Sequence, residues 1–150
     1  MNLASNRGKR LNKNNKKENN MQSLSEKRLI IEATVNGYTA PFLIDTGATV
    51  GLIDRTRINE FRINEGPKYN GTLVGAGGKM RGVRYCYTLA VLEDGEKQKP
   101  IGQFLLADID DVVESIEAQT GIRILGIISL PQMKVAGVNI DTNSNILTLE

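Results

Sequence analysis

The stretch FLIDTGATVGLID, residues 42–54, places a carboxylate directly after an apolar run. The three residues before Asp45 predict a buried strand that delivers this acid at its end. Burying an ionised carboxylate without partners is costly or shifts its pKa strongly, so such a residue needs a reason. Gly47 allows a close backbone approach and Thr46 can hydrogen-bond, so the sequence predicts an acid presented on a tight turn.

Composition limits the chemistry that this acid could join. The chain has 150 residues, of which 40% are hydrophobic, which suits one domain with a core that needs no disulfide or metal. Its single cysteine, Cys86, cannot form an internal disulfide and is expected to be a small core residue. There is no histidine, which excludes Ser-His-Asp and Cys-His nucleophiles and His-rich zinc motifs. Carboxylates therefore lead as proton-transfer groups, and we expect neither a metal nor a cofactor.

The first part of the chain differs in composition from the rest. Residues 1–24 are polar and basic, which predicts a disordered tail, and residues 25–150 form the predicted domain. Six basic residues stand against Glu18 within residues 1–20, whereas the other 130 residues carry a net charge of −3. A nucleic-acid-binding arm is one interpretation, but no aromatic residue interleaves the charges, so we favour a solvated extension. Without an apolar leader or a bilayer-length run, we expect a cytoplasmic protein with no membrane association.

From residue 27 onward the pattern is dominated by short apolar runs typical of strands. Asn36-Gly37 predicts a tight hairpin turn, and a second hairpin is predicted around the glycine-rich tip Gly75-Ala76-Gly77-Gly78. A helix is predicted from Asp108, as its capping residue, to Gly121. The predicted strands are Arg28–Val35, Thr39–Ile44, Val50–Ile53, Asn70–Val74, Met80–Leu92, Ile101–Ala107, Ile122–Ile128, Val138–Asp141 and Ile146–Leu149.

Asp45 alone is half of a two-carboxylate catalyst. Hydrolysis of an amide by a directly bound water needs one carboxylate to accept a proton and a second, protonated carboxyl to polarise the carbonyl. Ile140-Asp141-Thr142 echoes the first motif, but only nine residues follow Asp141, and a turn role is simpler. We therefore expect the second acid to be Asp45 of another copy, related by a two-fold axis.

With these motifs in order, residues 28–149 resemble the retropepsin-type aspartic proteases, the family of retroviral proteases and their bacterial relatives. The resemblance rests on Leu43–Ala48, on the glycines of residues 75–78 and on the run Ile124–Ile128 that precedes a final hairpin. It implies a mostly β fold, a closed barrel or sandwich lobe with a glycine-tipped flap and one or two short helices. It also implies a homodimeric endopeptidase that binds an extended peptide as an added strand.

The resemblance assigns roles to individual residues. Asp45 is the catalytic acid, Thr46 braces the pair of acids across the dimer axis, and Gly47 contacts the peptide. The remaining substrate-binding residues implied by the resemblance are Ala48, Gly75, Ala76, Gly77 and Gly78. One departure is Ser129, which stands where the family usually has glycine, while Gly126 lies three residues earlier. A second departure is the helix of residues 108–120, which is longer than the minimal retroviral form and resembles the bacterial branch.

Alternatives remain for each of these features. Asp45 could be a structural turn residue, the glycines an ordinary hairpin loop, and the acidic run Asp108–Asp111 a metal site rather than a helix start. The whole domain could also be a catalytically silent module that captures peptides or partner strands. An intact Asp-Thr-Gly favours the enzyme, because a pure binding module has no need for a buried pair of acids.

Overall fold

The computed structural model describes residues 19–20, 27–75, 78–95 and 97–150. A 3-10 helix covers Arg55–Arg57, and two α-helices follow, α1 (Asp110–Thr120) and α2 (Leu130–Ala136). The strands are β1 (Asn19–Asn20), β2 (Ile30–Val35), β3 (Tyr38–Asp45), β4 (Gly51–Asp54), β5 (Glu65–Lys68), β6 (Val74–Gly75), β7 (Gly78–Lys79), β8 (Arg84–Cys86), β9 (Ala90–Asp94), β10 (Lys97–Ile101), β11 (Phe104–Ala107), β12 (Gly126–Ser129), β13 (Val138–Asp141) and β14 (Ile146–Leu149).

Most strands join one sheet of nine, in the order β10-β9-β2-β3-β12-β4-β11-β8-β5. A three-stranded sheet has the order β1-β14-β13, and β6 pairs with β7 alone. The prediction of a mostly β fold with one or two short helices is confirmed. In the part of the chain that the structure describes, the large sheet ends at β10 and β5 and does not close on itself by pairing these strands.

The first hairpin follows the predicted turn chemistry. Strands β2 and β3 pair antiparallel up to Val35 and Tyr38, and the two residues between them, Asn36 and Gly37, have φ angles of 51° and 86°. Two positive φ angles match the right-handed twist of the flanking strands, and they explain the Asn-Gly pair. The Asn36 side-chain amide also donates to the Phe61 carbonyl at 2.8 Å. The hairpin is thereby tied to the turn after the 3-10 helix.

The large sheet is buried on both faces. Alternate residues of β3 enter different hydrophobic clusters, with Phe42 and Ile44 in one and Leu43 in the other. The same division separates Ile128 from Ile127 in β12. Because successive side chains of a strand point to opposite faces, each strand needs an unbroken apolar run to serve both clusters. This is why the chain reads as continuous apolar runs at residues 42–44 and 124–128.

Helix α1 covers one of these clusters with its apolar face. Ile109, Val113 and Ile116 are buried, and the helix ends at Gly121, whose φ is 75°. The prediction that Asp108 is the capping residue is wrong by one position. Ile109 occupies the N-cap without a side-chain hydrogen bond, and the Asp108 carboxylate accepts instead from the Asp110 backbone N–H at 3.1 Å. Burial of Ile109 decides this start, because its side chain belongs to the core.

The predicted strands differ from the observed ones in several places; for example, the predicted strand Ile101–Ala107 is split between the last residue of β10 and β11. The run Met80–Leu92 is divided, since its residues belong in part to β8 and β9, and a bend with a φ of 68° at Gly82 precedes β8. Strand β5 is absent from the predicted strands, and its sequence, Glu-Gly-Pro-Lys, has no apolar alternation. Tertiary contact creates it, and a Cβ at Gly66 would lie only 2.7 Å from the Tyr85 carbonyl oxygen. The run Asn70–Val74 is a strand only from Val74.

The predicted disordered tail contains one described element. Strand β1 pairs antiparallel with β14, Asn19 opposite Leu147 and Asn20 opposite Ile146. The rest of residues 1–24 lies outside the described part of the chain. Across the described ranges, no helix is long and apolar enough to cross a membrane.

Replacing Gly126 by alanine tests the packing of β12 in the middle of the sheet. A Cβ at this residue would lie 2.3 Å from the Leu52 carbonyl oxygen and 2.9 Å from the Phe42 ring. We expect Gly126→Ala to lower the free energy of unfolding by about 2 kcal/mol, as overpacking does. Urea unfolding followed by circular dichroism measures the change. Gly75→Ala is the matched control, because its Cβ would meet only Met80 at 3.5 Å or beyond; equal losses in the two variants would contradict the packing argument.

Candidate active site

Asp45 ends β3 at the point where the chain leaves the buried sheet. Its side chain is half-buried, whereas Thr46 and Gly47 are exposed. The Gly47 backbone N–H donates to Asp45 Oδ1 at 2.9 Å, and the Ala48 N–H donates to the Asp45 carbonyl at 3.1 Å. A Cβ at Gly47 would lie 3.3 Å from Asp45 Oδ1, a tight approach. The Asp-Thr-Gly order is thus explained locally, since the small residue lets a backbone donor reach the carboxylate.

Strand β12 supports this turn from below. It lies between β3 and β4, parallel to β3 and antiparallel to β4, and its register sets Ser129 beside Asp45. The loop from β3 to β4 must therefore pass over the end of β12. The Leu130 backbone N–H donates to the Ala48 carbonyl at 3.2 Å where the two segments meet. This arrangement holds the four predicted residues Asp45, Thr46, Gly47 and Ala48 in one loop above the sheet.

Ser129 is fully buried and begins helix α2, and it answers the question raised by the missing glycine. It forms a capping box with Gln132: its hydroxyl accepts from the Gln132 backbone N–H, and its own backbone N–H donates to Gln132 Oε1 at 2.9 Å. The Gln132 amide then donates to the Gly102 carbonyl at 2.8 Å. A serine is therefore accommodated at this position because both of its polar groups have partners. Gly126, three residues earlier, lies within β12 and does not replace it.

The predicted glycine-tipped hairpin is present. Strands β6 and β7 pair Val74 with Lys79 and Gly75 with Gly78, while Ala76 and Gly77 lie outside the described residues. We call residues 65–75 and 78–86, from β5 to β8, the flap hairpin. Val74 is 69% exposed, so this end of the hairpin extends away from the core. Of the residues predicted to contact substrate, Gly75 and Gly78 are therefore placed on this hairpin and not in the loop of Asp45.

The loop of Asp45 and the flap hairpin pack on the same core cluster. Half-buried side chains from both segments pack on the same core cluster, namely Ala48, Val50, Tyr69, Leu73, Met80 and Tyr85. Tyr69 and Tyr85 meet edge to face with ring centroids 5.4 Å apart.

The second Asp-Thr pair of the chain has a different role. Asp141 ends β13, and its Oδ1 accepts from the Asn143 backbone N–H at 2.9 Å and from the Ser144 N–H at 3.4 Å. Hydrogen bonds from the Ser144 side chain, then from these backbone groups, lower the pKa of Asp141. The predicted closing hairpin and the turn role of Asp141 are confirmed, with β13 and β14 at the predicted bounds. The Asp141 carboxylate therefore stabilises its own turn. It belongs to the β13–β14 hairpin, whereas Asp45 ends β3, which pairs with β12.

Two other reactive groups are accounted for structurally. Cys86 is 4% exposed at the end of β8, and burial raises the pKa of its thiol. A raised pKa keeps the thiol protonated and unreactive near neutral pH. Among the residues that the structure describes, no three carboxylate or thiol side chains converge in a group able to hold a metal ion. The acidic run at Asp108–Asp111 instead lies at the start of α1, where it meets the helix dipole.

Sequence reasoning missed the polar groups that organise the site. Gln132 had only the Ser-x-x-Gln spacing as a signal, which is recognisable as a capping box once a helix is known to start at Leu130. No sequence pattern indicated a role for Arg55, because its partners Glu65 and Gly82 lie 10 and 27 residues further along the chain. Both residues act through tertiary contacts around the loop and the flap hairpin.

Comparison with known proteins shows what this chain is similar to in sequence and fold. Residues 31–96 match the family model described as aspartyl protease. The fold is similar to that of the EIAV protease complexed with the inhibitor HBY-793, with 21% identity and a TM-score of 0.50 over 77% of this chain and 94% of that one. The retroviral protease-like domain of Ddi1 from Leishmania major has 17% identity and a TM-score of 0.53, over 82% of this chain and 88% of that one.

A retropepsin-like aspartic protease from Rickettsia conorii also matches, with 17% identity and a TM-score of 0.45 over 80% of each chain. Comparison with curated protein sequences gives no match. The predicted resemblance to retropepsin-like aspartic proteases is confirmed by the family model and by the fold of the first two structures. At these identities the structural likeness concerns the fold, so the chemistry of the site has to be argued from this chain.

Removing the Gln132 side chain tests how the loop of Asp45 is supported. Gln132→Ala leaves the buried Ser129 backbone N–H and the Gly102 carbonyl without their partner. We expect the free energy of unfolding to fall by about 1–3 kcal/mol, the range for orphaned buried polar groups. Urea unfolding gives the value. Lys134→Ala, an exposed change in the same helix, is the control and should shift it by less than about 0.5 kcal/mol; a Gln132 variant as stable as this control would contradict the argument.

Proposed function

We propose that the protein is an aspartic endopeptidase that acts as a homodimer, with Asp45 from each copy forming the catalytic pair. The observation that carries this proposal is the turn of Asp45, where a half-buried carboxylate at the end of a core strand accepts the Gly47 N–H and remains open to a partner. The other Asp-Thr pair is engaged in its own hairpin turn. A second copy is therefore the source of the second acid.

The proposed reaction needs the two acids to share one proton. Two carboxylates a few ångströms apart do not both ionise readily, so one is ionised while the other is protonated. The ionised Asp45 accepts a proton from water as the water oxygen bonds to the carbonyl carbon, and the protonated Asp45 donates to the carbonyl oxygen. The C–N bond then breaks as a proton moves to the leaving nitrogen. The products are a carboxylic acid and an amine, and no metal or cofactor takes part.

The other residues of the site position the peptide and the acids in this proposal. Thr46 is exposed beside Asp45, where it can hydrogen-bond across a two-fold axis. In this proposal the substrate peptide binds as an added strand. It contacts Gly47 and Ala48 of the loop and Gly75, Ala76, Gly77 and Gly78 of the flap hairpin. The protease domain in this proposal is residues 25–150, and the basic segment before it is dispensable for cleavage. Half-buried apolar side chains of the loop and of the flap hairpin pack on one core cluster, and they support an extended peptide as the substrate in this proposal.

Substitution of the acid tests the chemistry directly. Asp45→Asn removes the proton acceptor while keeping the shape, and we expect cleavage of a diverse peptide mixture to fall at least about 1,000-fold. Mass spectrometry of the products between about pH 3 and pH 8 spans the range in which a shared-proton pair titrates. Asp141→Asn is the matched control and should retain activity, because Asp141 stabilises only its turn. If neither wild type nor variant cleaves although both fold and dimerise, the peptide-binding module becomes the better interpretation.

Mixing active and inactive copies tests the dimer. An equal amount of Asp45→Asn protein should lower the total activity of fully dimerised wild type to about half, since mixed pairs hold one competent acid. Dilution below the dimer dissociation constant should lower specific activity in proportion to the dimer fraction. Activity assays alongside sedimentation measurements check both outcomes. Unchanged activity in the mixture, or full specific activity from a proven monomer, would rule out a shared pair of acids.

A further inference from the structure

The flap hairpin pairs in two separate blocks. At its base β5 pairs with β8, and the Tyr69 backbone N–H donates to the Val83 carbonyl at 2.9 Å. At its far end β6 pairs with β7, and the Met80 N–H donates to the Leu73 carbonyl at 2.8 Å. Among the described residues, no backbone hydrogen bond joins residues 70–72 to residues 81–82 between these blocks. The interruption makes this segment the hinge between the two paired blocks of the hairpin.

Each arm of the hinge contains a glycine. Gly71 lies in the outgoing arm and Gly82 in the returning arm, and both are exposed. Gly82 has a φ of 68°, a conformation that residues with a Cβ rarely adopt. A missing ladder and a glycine in each arm leave few local interactions to fix the angle of the hinge. A contact from outside the hairpin is therefore needed to hold it.

Arg55 supplies that contact. Its Nη1 donates to the Gly82 carbonyl at 2.9 Å, and its Nε donates to Glu65 Oε1 at 2.5 Å. Glu65 is the first residue of β5, on the outgoing side of the hairpin, and Gly82 lies on the returning side. The Arg55 guanidinium therefore contacts both sides of the hairpin. The Arg84 guanidinium lies 3.8 Å from the same Glu65 oxygen, and it donates to the Gly66 carbonyl at 2.9 Å. The planar donors of an arginine suit this double contact, which a lysine cannot reproduce in full.

Arg55 also connects the hinge to the strands that carry the acid. It follows Asp54, the last residue of β4, and β4 pairs with β12, which in turn pairs with β3 and Asp45. The Arg55 side chain is 40% exposed, and exposed ion pairs contribute little to the stability of a fold. The contact therefore matters for position more than for stability, because it places the Gly82 carbonyl relative to the end of β4.

We propose that Arg55 is a positioning residue that holds the hinge of the flap hairpin against the sheet carrying Asp45 and so sets the hairpin's position over a bound peptide. This proposal rests on the proposed peptidase function for its catalytic consequence, but not for the hinge contact itself. Gly82 completes the contact, because a Cβ there would lie 2.9 Å from Arg55 Nη1 and displace the guanidinium.

Hydrogen exchange of the full-length protein measures the hinge without reference to activity. In Arg55→Gln we expect the Tyr69 and Met80 amides, which border the hinge, to exchange about three- to tenfold faster than in wild type. Arg55→Lys keeps the charge but loses one contact and should lie between the two. Gly82→Ala reaches the same contact from the other side and should act like Arg55→Gln. Arg123→Gln is the matched control, because its ion pair with Glu117, at 3.5 Å, includes no residue of the flap hairpin.

Peptide kinetics then separate positioning from chemistry. We expect Arg55→Gln to raise KM about fivefold with kcat within about twofold of wild type, with partial recovery in Arg55→Lys. Exchange rates in Arg55→Gln equal to those of Arg123→Gln would overturn the hinge proposal even in an active enzyme. If exchange is faster in Arg55→Gln but the wild-type protein cleaves no peptide, the hinge proposal is supported and the proposed function is rejected. A fall in kcat with unchanged KM and unchanged exchange would also count against positioning.

Discussion

The insertion of β12 between β3 and β4 is the constraint on which the rest of the structure depends. The central strand must approach the Leu52 carbonyl and the Phe42 ring so closely that a glycine is required at residue 126. Its parallel register with β3 then sets Ser129 beside Asp45. Because both neighbours of β12 lead into or out of the Asp-Thr-Gly loop, the position of the acid is determined by the middle of the sheet and not by the loop alone.

The capping box at the end of β12 converts this sheet geometry into a support for the loop. Ser129 ends the strand and begins α2, so its polar groups would be buried without partners if Gln132 did not supply them. The Gln132 amide extends the support to the Gly102 carbonyl between β10 and β11. Ser129 is therefore suited to this position, where the resemblance implies glycine, because it caps the helix that begins here. The helix start, rather than a close backbone approach, decides the residue type.

Around this centre the chain distributes its charged groups by function. Asp45 is half-buried and accepts the Gly47 backbone N–H, a position that suits the proton transfer proposed for it. Arg55 and Glu65 are partly exposed, where an ion pair adds little stability, and Arg55 joins the hinge of the flap hairpin at Gly82 to the end of β4. Helix α1 has Asp110 and Asp111 in its first turn, where the backbone dipole favours negative charge. The contrast explains why one carboxylate among many stands out as the candidate catalyst.

The sequence by itself determined the features that depend on neighbouring residues. The strand before Asp45, the turn at Asn36-Gly37 with its positive φ angles and the closing hairpin of β13 and β14 all follow from local patterns, and all are present. The resemblance built on these motifs extended to the fold.

Only the tertiary structure decided the features that depend on distant partners. Strand β5 exists because β8 lies beside it, α1 begins after Ile109 because that side chain is needed in the core, and Asn19–Asn20 pair with a strand more than 120 residues away. The contacts of Gln132 and Arg55 belong to the same group. Local sequence sets backbone preferences over a few residues, whereas hydrogen bonds between distant segments form only once the sheet has brought them together.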